Sequence, residues 1–238
     1  MKTCLMAAII GLLALTAGQV KAQASQEPVS ILWKGIGGKT RWDNTNYILF
    51  AASGNESKYV QNGRKFLINK RSGQVRFEGR LNDGDNIIAI FNFKTQKVIK
   101  FSSNGVESKS GSAEVDDAFS KINEQFKKDA SFIFLPTLID RAGKANSKIV
   151  NAEKLQYISF QLRDSNLAGD LYFNPETGYI KQLVDQDGNE FYVNGYKDIG
   201  GGLFLPTTFK SLGSQEKSTS FTTVAAFTEM EDSKFSTL

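Results

Sequence analysis

Few residues in this chain could make or break bonds. There is no histidine, and the one cysteine is Cys4. A Ser-His-Asp or Cys-His nucleophile needs an imidazole base, so both are excluded. The common zinc sites need Cys or His, and one Cys cannot close a disulfide within the chain. Carboxylates, Lys, Arg, Tyr and hydroxyls remain. Asp185-Gln186-Asp187-Gly188-Asn189-Glu190 gathers oxygen ligands around a glycine. It lacks the spacing and the distant Glu of a calcium loop, so it reads as a hairpin turn. Gly200-Gly201-Gly202 follows a strand-like run, but no helix pattern follows it. A phosphate cradle needs a helix N-terminus there, so a β-connection is the reading. Asn55-Glu56-Ser57 is a glycosylation triplet only in a cell with that machinery. An enzyme would need two acidic residues of raised pKa across one cleft, which no spacing here places. The expectation is a non-enzyme with no catalytic residues, no metal and no cofactor.

Binding of apolar matter has more support. The chain holds 18 Phe against 2 Trp. An acyl chain needs no polar partner and contributes about 0.8 kcal/mol per buried CH2, so a Phe, Ile and Leu lining suffices. Phe119, Ile122 and Phe126 form one apolar stripe, and Phe132, Phe134 and Leu135 a second apolar group. Phe66, Ile68, Val75, Phe77, Phe91 and Phe93 lie on strand-like runs. The plainer reading of each Phe is ordinary core.

The elements that must position these residues are mostly strands. Period-two alternation marks Phe66 and Ile68, Val75 and Phe77, Ile158 to Leu162, and Phe191 and Val193. Residues 87–93 are apolar on both faces and read as a strand covered on each side. Asn69-Lys-Arg-Ser72-Gly73 resembles Asn174-Pro-Glu-Thr177-Gly178, with a weaker copy at Asn92-Phe-Lys-Thr95-Gln96. The Asn side chain can bond the backbone two residues on, and the Gly tolerates positive φ at the bulge. Up-and-down antiparallel hairpins follow. Two strand-rich halves, roughly 44–110 and 147–230, flank a helical insert at about 112–140. Ser112 caps its helix, acids fill the first turn, and Val115, Phe119, Ile122 and Phe126 form one apolar stripe. That spacing puts Lys127 and Lys128 in the last turn. Residues 26–39 could form one or two short helices, broken at Gly37-Gly38.

The N-terminus has the layout of a cleaved signal peptide: Lys2, an apolar run from Leu5 to Leu15, and cleavage frames after Ala22 or Ala24. An uncleaved anchor is the alternative. Cys4 precedes the apolar run, so it is no lipidation site at a cleavage point. The domains read as a signal peptide, 1–22, and one domain, 23–238, in the periplasm. Cleavage removes Lys2 and Lys21, so the formal charge of +4 and the pI of about 9.0 overstate the basicity. Cations are scattered singly along strands, unlike a nucleic-acid stripe.

The order of Gly37-Gly38, Trp42, Leu135-Pro136, Tyr172 to Gly178, Tyr196-Lys197-Asp198, Gly201-Gly202, Leu205-Pro206-Thr207 and Phe235 resembles LolA-like proteins. These form the outer-membrane lipoprotein-sorting superfamily, and the likeness is to its divergent Bacteroidota type. The resemblance implies an α+β, mainly β fold: an incomplete, half-open antiparallel β-barrel of about eleven strands, with helices plugging its concave face. On that resemblance, Phe119, Ile122 and Phe126 are the expected lid stripe, and Phe132, Phe134 and Leu135 a second plug. Phe66, Ile68, Val75, Phe77, Phe91 and Phe93 are, on the same ground, the expected concave wall. It implies a monomeric carrier for a lipid or for the acyl chain of a lipoprotein, delivering to an inner- or outer-membrane receptor in the cell envelope. The alternative is a β-scaffold that binds an envelope protein or polymer without a cavity. A packed interior would favour that alternative.

Overall fold

The computed structural model describes residues 27–140, 142–163 and 165–238. The expected signal peptide and both cleavage frames lie outside the described residues. Two short helices come first, α1 at residues 27–35 and α2 at Lys39–Asn44. Gly37 and Gly38 separate them at φ values of 96° and 102°, so the expected break is where glycine allows it. Strands β1 (Tyr47–Gly54), β2 (Arg64–Asn69), β3 (Gln74–Arg80), β4 (Asn86–Asn92), β5 (Lys97–Ser103) and β6 (Val106–Ser108) follow. Next are α3 (Ala113–Ile133) and α4 (Leu135–Leu138). The second half is β7 (Asn146–Val150), β8 (Glu153–Gln161), β9 (Ala168–Phe173), β10 (Ile180–Asp185), β11 (Glu190–Asn194), β12 (Lys197–Gly200), β13 (Leu203–Leu205), β14 (Thr208–Ser211) and β15 (Thr219–Phe227).

Thirteen strands form one antiparallel sheet in the order β6-β5-β4-β3-β2-β1-β15-β14-β11-β10-β9-β8-β7. The fold is mainly β, as expected. Its strand number exceeds the eleven implied by the resemblance, and β12 with β13 makes a separate hairpin. The sheet is open, with β6 and β7 at its edges, and β1 paired to β15 joins the two halves. The helical insert links those two edges, so it has to cross a face of the sheet. Phe126 meets Phe91 of β4, and Phe132 meets Phe191 of β11. Those strands are six ladder steps apart, about 29 Å in a flat sheet. The two helix residues are separated by only about 9 Å along the axis. The sheet must therefore curl around α3.

All three repeated turns fall at the same end of the sheet. Asn69, Asn92 and Asn174 each accept, through Oδ1, the backbone N–H groups two and three residues on. In the weak copy Gln96 occupies the positive-φ position at 55°. β4 is covered on both faces at Ile90 and Phe91. Phe91 looks inward. On the outer face the C-terminal segment packs over this part of the sheet: Phe235 stacks on Tyr47, and Arg76 of β3 donates to the carbonyls of Lys234 and Thr237.

The expected cap on α3 is present, with Ser112 Oγ accepting from Val115 N at 3.4 Å. One expectation changes. Lys127 and Lys128 are not in the last turn, because the helix runs on to Ile133. Phe132 and Ile133 are buried on its inner side, and that burial outweighs their modest helix propensity.

Candidate functional site

The twelve residues expected to line a ligand site lie in one apolar body between the sheet and the insert. Phe66, Ile68, Val75, Phe77, Phe91, Ile122, Phe126, Phe132, Phe134 and Leu135 are buried in it, and Phe93 and Phe119 pack against it half-buried. Alternation explains the wall. Phe66 and Ile68 share one face of β2; Val75 and Phe77 share the matching face of β3, in register with them. The α3 stripe meets this wall ring to ring. Phe126 lies 5.3 Å from Phe66, 5.7 Å from Phe91 and 6.0 Å from Phe93, and Phe119 lies 5.3 Å from Phe91. These tilted and edge-on arrangements suit aromatic quadrupoles.

The second plug is not one segment. Phe132 belongs to α3 and meets Phe191 at 5.5 Å and Phe209 at 5.0 Å. Phe134 is the hinge between α3 and α4, touching Trp42 at 5.6 Å and Phe50 at 5.9 Å. Leu135 opens α4 and is fully buried. The protein's own side chains thus occupy the curl of the sheet.

Sequence reasoning missed a polar cluster inside this body. Arg64 of β2 and Asp129 of α3 form an ion pair with both side chains at 0% exposure. Arg64 Nε donates to Asp129 Oδ2 at 2.6 Å, and Nη2 donates to Asp129 Oδ1 at 2.8 Å and to the Gly54 carbonyl at 2.9 Å. Asn55 Nδ2 and Gln125 Nε2 also donate to Asp129 Oδ1, at 3.0 and 3.1 Å. Arg64 Nη1 finds no partner among the described residues. The signal was present as phase. Arg64 shares the period-two phase of Phe66 and Ile68, and Asp129 continues the stripe three residues after Phe126.

Beside this cluster, at the end of the sheet away from the repeated turns, opens a cavity of about 540 Å³. Phe132, Leu167 and Phe191 are its apolar lining; the rest is polar, with Glu124, Asp187, Lys127, Lys128 and Lys217 among it. The acidic run expected to be a turn contributes here as one. Asp185 Oδ1 accepts from Asp187 N and Asn189 N, so the carboxylate is spent on closing the β10–β11 hairpin. Gly201 and Gly202 turn β12 into β13 at positive φ, as a β-connection.

Two other groups are electrostatically unusual. Lys70 is half-buried under α2, donates to the Trp42 carbonyl and lies 3.9 Å from the Trp42 ring centroid. Desolvation lowers its pKa to about 8; Asp43 opposes the shift and Lys39 adds to it. Tyr196 stacks on Tyr179 at 4.1 Å, and its hydroxyl accepts from Ile180 N at 2.8 Å. Burial raises its pKa well above the usual phenol value. Among the described residues no three Asp, Glu or Cys side chains are grouped to hold a metal, and no helix is long and apolar enough to cross a membrane.

A scan against protein-family models and a search of curated proteins both return no match.

Proposed function

We propose that this chain is a periplasmic, non-enzymatic binding protein or carrier for a lipid or the acyl chain of a lipoprotein. Its fold reads as a half-open, LolA-like barrel whose trough is filled by α3 and α4 until an acyl chain takes their place. One observation carries the reading: the expected wall, lid and plug form a single Phe-rich body between a curled sheet and one crossing helix. Exchange needs no covalent step. Lifting α3 bares the Phe wall, and the incoming chain covers it again at about 0.8 kcal/mol per buried CH2. The Arg64–Asp129 pair holds the helix in register, while a buried pair of this kind contributes little net stability. The 540 Å³ cavity gives an incoming chain direct access to Phe132 and Phe191.

Native mass spectrometry after gentle purification is expected to show co-purified lipid, and a fluorescent fatty acid is expected to bind the delipidated protein. A ligand-free preparation that also ignores the fatty acid overturns the reading.

The second reading is a β-scaffold for an envelope protein or polymer. It is favoured by the packing of the trough with the chain's own side chains. Under it, amides of α3 stay protected from hydrogen exchange whether or not fatty acid is added. Under the carrier reading they lose protection when fatty acid is present.

A further inference from the structure

Cations gather at one part of one end of the sheet. At the end carrying the repeated turns, α2, the β2–β3 turn and the β4–β5 turn come together. Lys94 Nζ donates to the Arg71 carbonyl at 2.8 Å, and Lys70 reaches the Trp42 carbonyl. Residues 39–44, 70–73 and 93–97 hold six cations, Lys39, Arg41, Lys70, Arg71, Lys94 and Lys97. Asp43, the carboxylate within these segments, is paired with Lys39 at 2.6 Å; the third repeated turn at this end adds Glu176, and Glu229 lies near Thr45. At the opposite end, the turns at residues 81–85 and 186–189 carry carboxylates, while the β1–β2 and β14–β15 connections add Lys58 and Lys217.

Aromatic rings lie among these cations. Lys39 Nζ is 5.8 Å from the Trp33 ring, Lys70 Nζ 3.9 Å from Trp42, and Lys94 Nζ 5.9 Å from Phe93. All three rings are half-buried. Both tryptophans of the chain are therefore at this rim. Amphipathic rings beside Lys and Arg are the residues that settle at the headgroup level of a bilayer. The cavity of about 540 Å³ lies at the other end; a smaller one at this end, between Thr45, Gly200, Gly201 and residues 226–229, adjoins α2 but not the β2–β3 or β4–β5 turn. A broad row of turn tips suits a flat, negatively charged surface better than a peptide, which needs a groove.

We propose that this rim docks the protein on an anionic lipid bilayer, with Trp33, Trp42 and Phe93 at headgroup depth and the six cations facing lipid phosphates. The inference goes beyond the carrier reading and does not depend on it. A rim that docks can coexist with a trough that binds nothing.

The test is sedimentation with phosphatidylglycerol vesicles, against phosphatidylcholine vesicles as control. Quenching of tryptophan by headgroup-proximal doxyl lipid is read in parallel. Binding and quenching are expected on anionic vesicles only, and 0.5 M NaCl is expected to abolish them. The variant Lys39→Gln/Arg41→Gln/Arg71→Gln/Lys94→Gln is expected to partition several hundredfold more weakly, on the order of fivefold per cation. Lys58→Gln/Lys109→Gln/Lys144→Gln/Lys210→Gln removes the same charge from exposed sites elsewhere and is expected to bind like the parent. Far-UV circular dichroism checks that both variants are folded. The proposal is overturned by equal loss in the two variants, by equal binding to both lipids, or by binding to polyglutamate without binding to vesicles. That last outcome assigns the rim to an acidic protein instead.

Discussion

At the scale of single residues, the sharpest consequence lies in the Arg64–Asp129 pair. Both side chains are out of water, so removing one partner strands a charge. Asp129→Ala is expected to cost about 3–5 kcal/mol in urea unfolding. Replacing both partners by apolar residues, as in Arg64→Met/Asp129→Leu, is expected to cost far less, because no charge is left unpaired. Equal losses in the two variants would show that packing, not charge, dominates there. Lys70 gives a pH-dependent case. Its folded pKa of about 8 lies below the ordinary value of 10.5, so the unfolded chain binds more protons between those limits. Stability then rises with pH through that window. Relative to Lys70→Met, the parent is expected to gain in urea midpoint between pH 7 and pH 9.5. The gain falls short of full linkage because half the side chain stays in water. A difference that does not change with pH contradicts this. Neither group stood out as a residue type in the sequence. An isolated Arg or Asp looks solvated until a partner about 65 positions away is placed against it.

At the scale of elements, the turns and strand faces were legible because local chemistry decides them. Asn side chains that accept from the amides two and three residues on close the hairpins wherever they stand, and alternation fixes which side of a strand faces in, except at β4, which is apolar on both faces. The end of α3 was not legible. Lys127 and Lys128 look like a final turn, yet tertiary burial of Phe132 and Ile133 carries the helix further. The packing of α3 on the wall rests heavily on Phe126. Phe126→Ala removes the ring that packs on Phe66, Phe91 and Phe93 and is expected to cost about 3–5 kcal/mol. If α3 competes with an acyl chain, the same variant binds fluorescent fatty acid more tightly than the parent; unchanged affinity would separate the helix from the ligand. Close backbone approach fixes α1. A Cβ added at Gly35 would stand 2.4 Å from the Gly178 carbonyl oxygen. Gly35→Ala is therefore expected to lower stability by about 1–3 kcal/mol as α1 backs away from the β9–β10 turn.

At the scale of the whole molecule, most of the strand order within each half follows from hairpins, but the β11–β14 step across the β12–β13 excursion and the junction between halves do not. β1 pairs with β15 along Tyr47↔Phe227 to Gly54↔Thr219, a pairing that no local pattern announces. The crossing of α3 depends on that junction, since the insert bridges two edges that lie on opposite sides of it. The two halves and the helix therefore support one another and are expected to unfold together. The molecule supplies two probes with different coverage. Trp33 and Trp42 report from the α1–α2 end, whereas far-UV circular dichroism reports on strands of both halves. Coincident urea transitions by the two probes are the expected result. If the tryptophans change at lower urea than the strands, the helical end opens first, as a movable cover would. If they change at higher urea, strands remote from α1 and α2 are the weaker unit, and the sheet does not unfold as one.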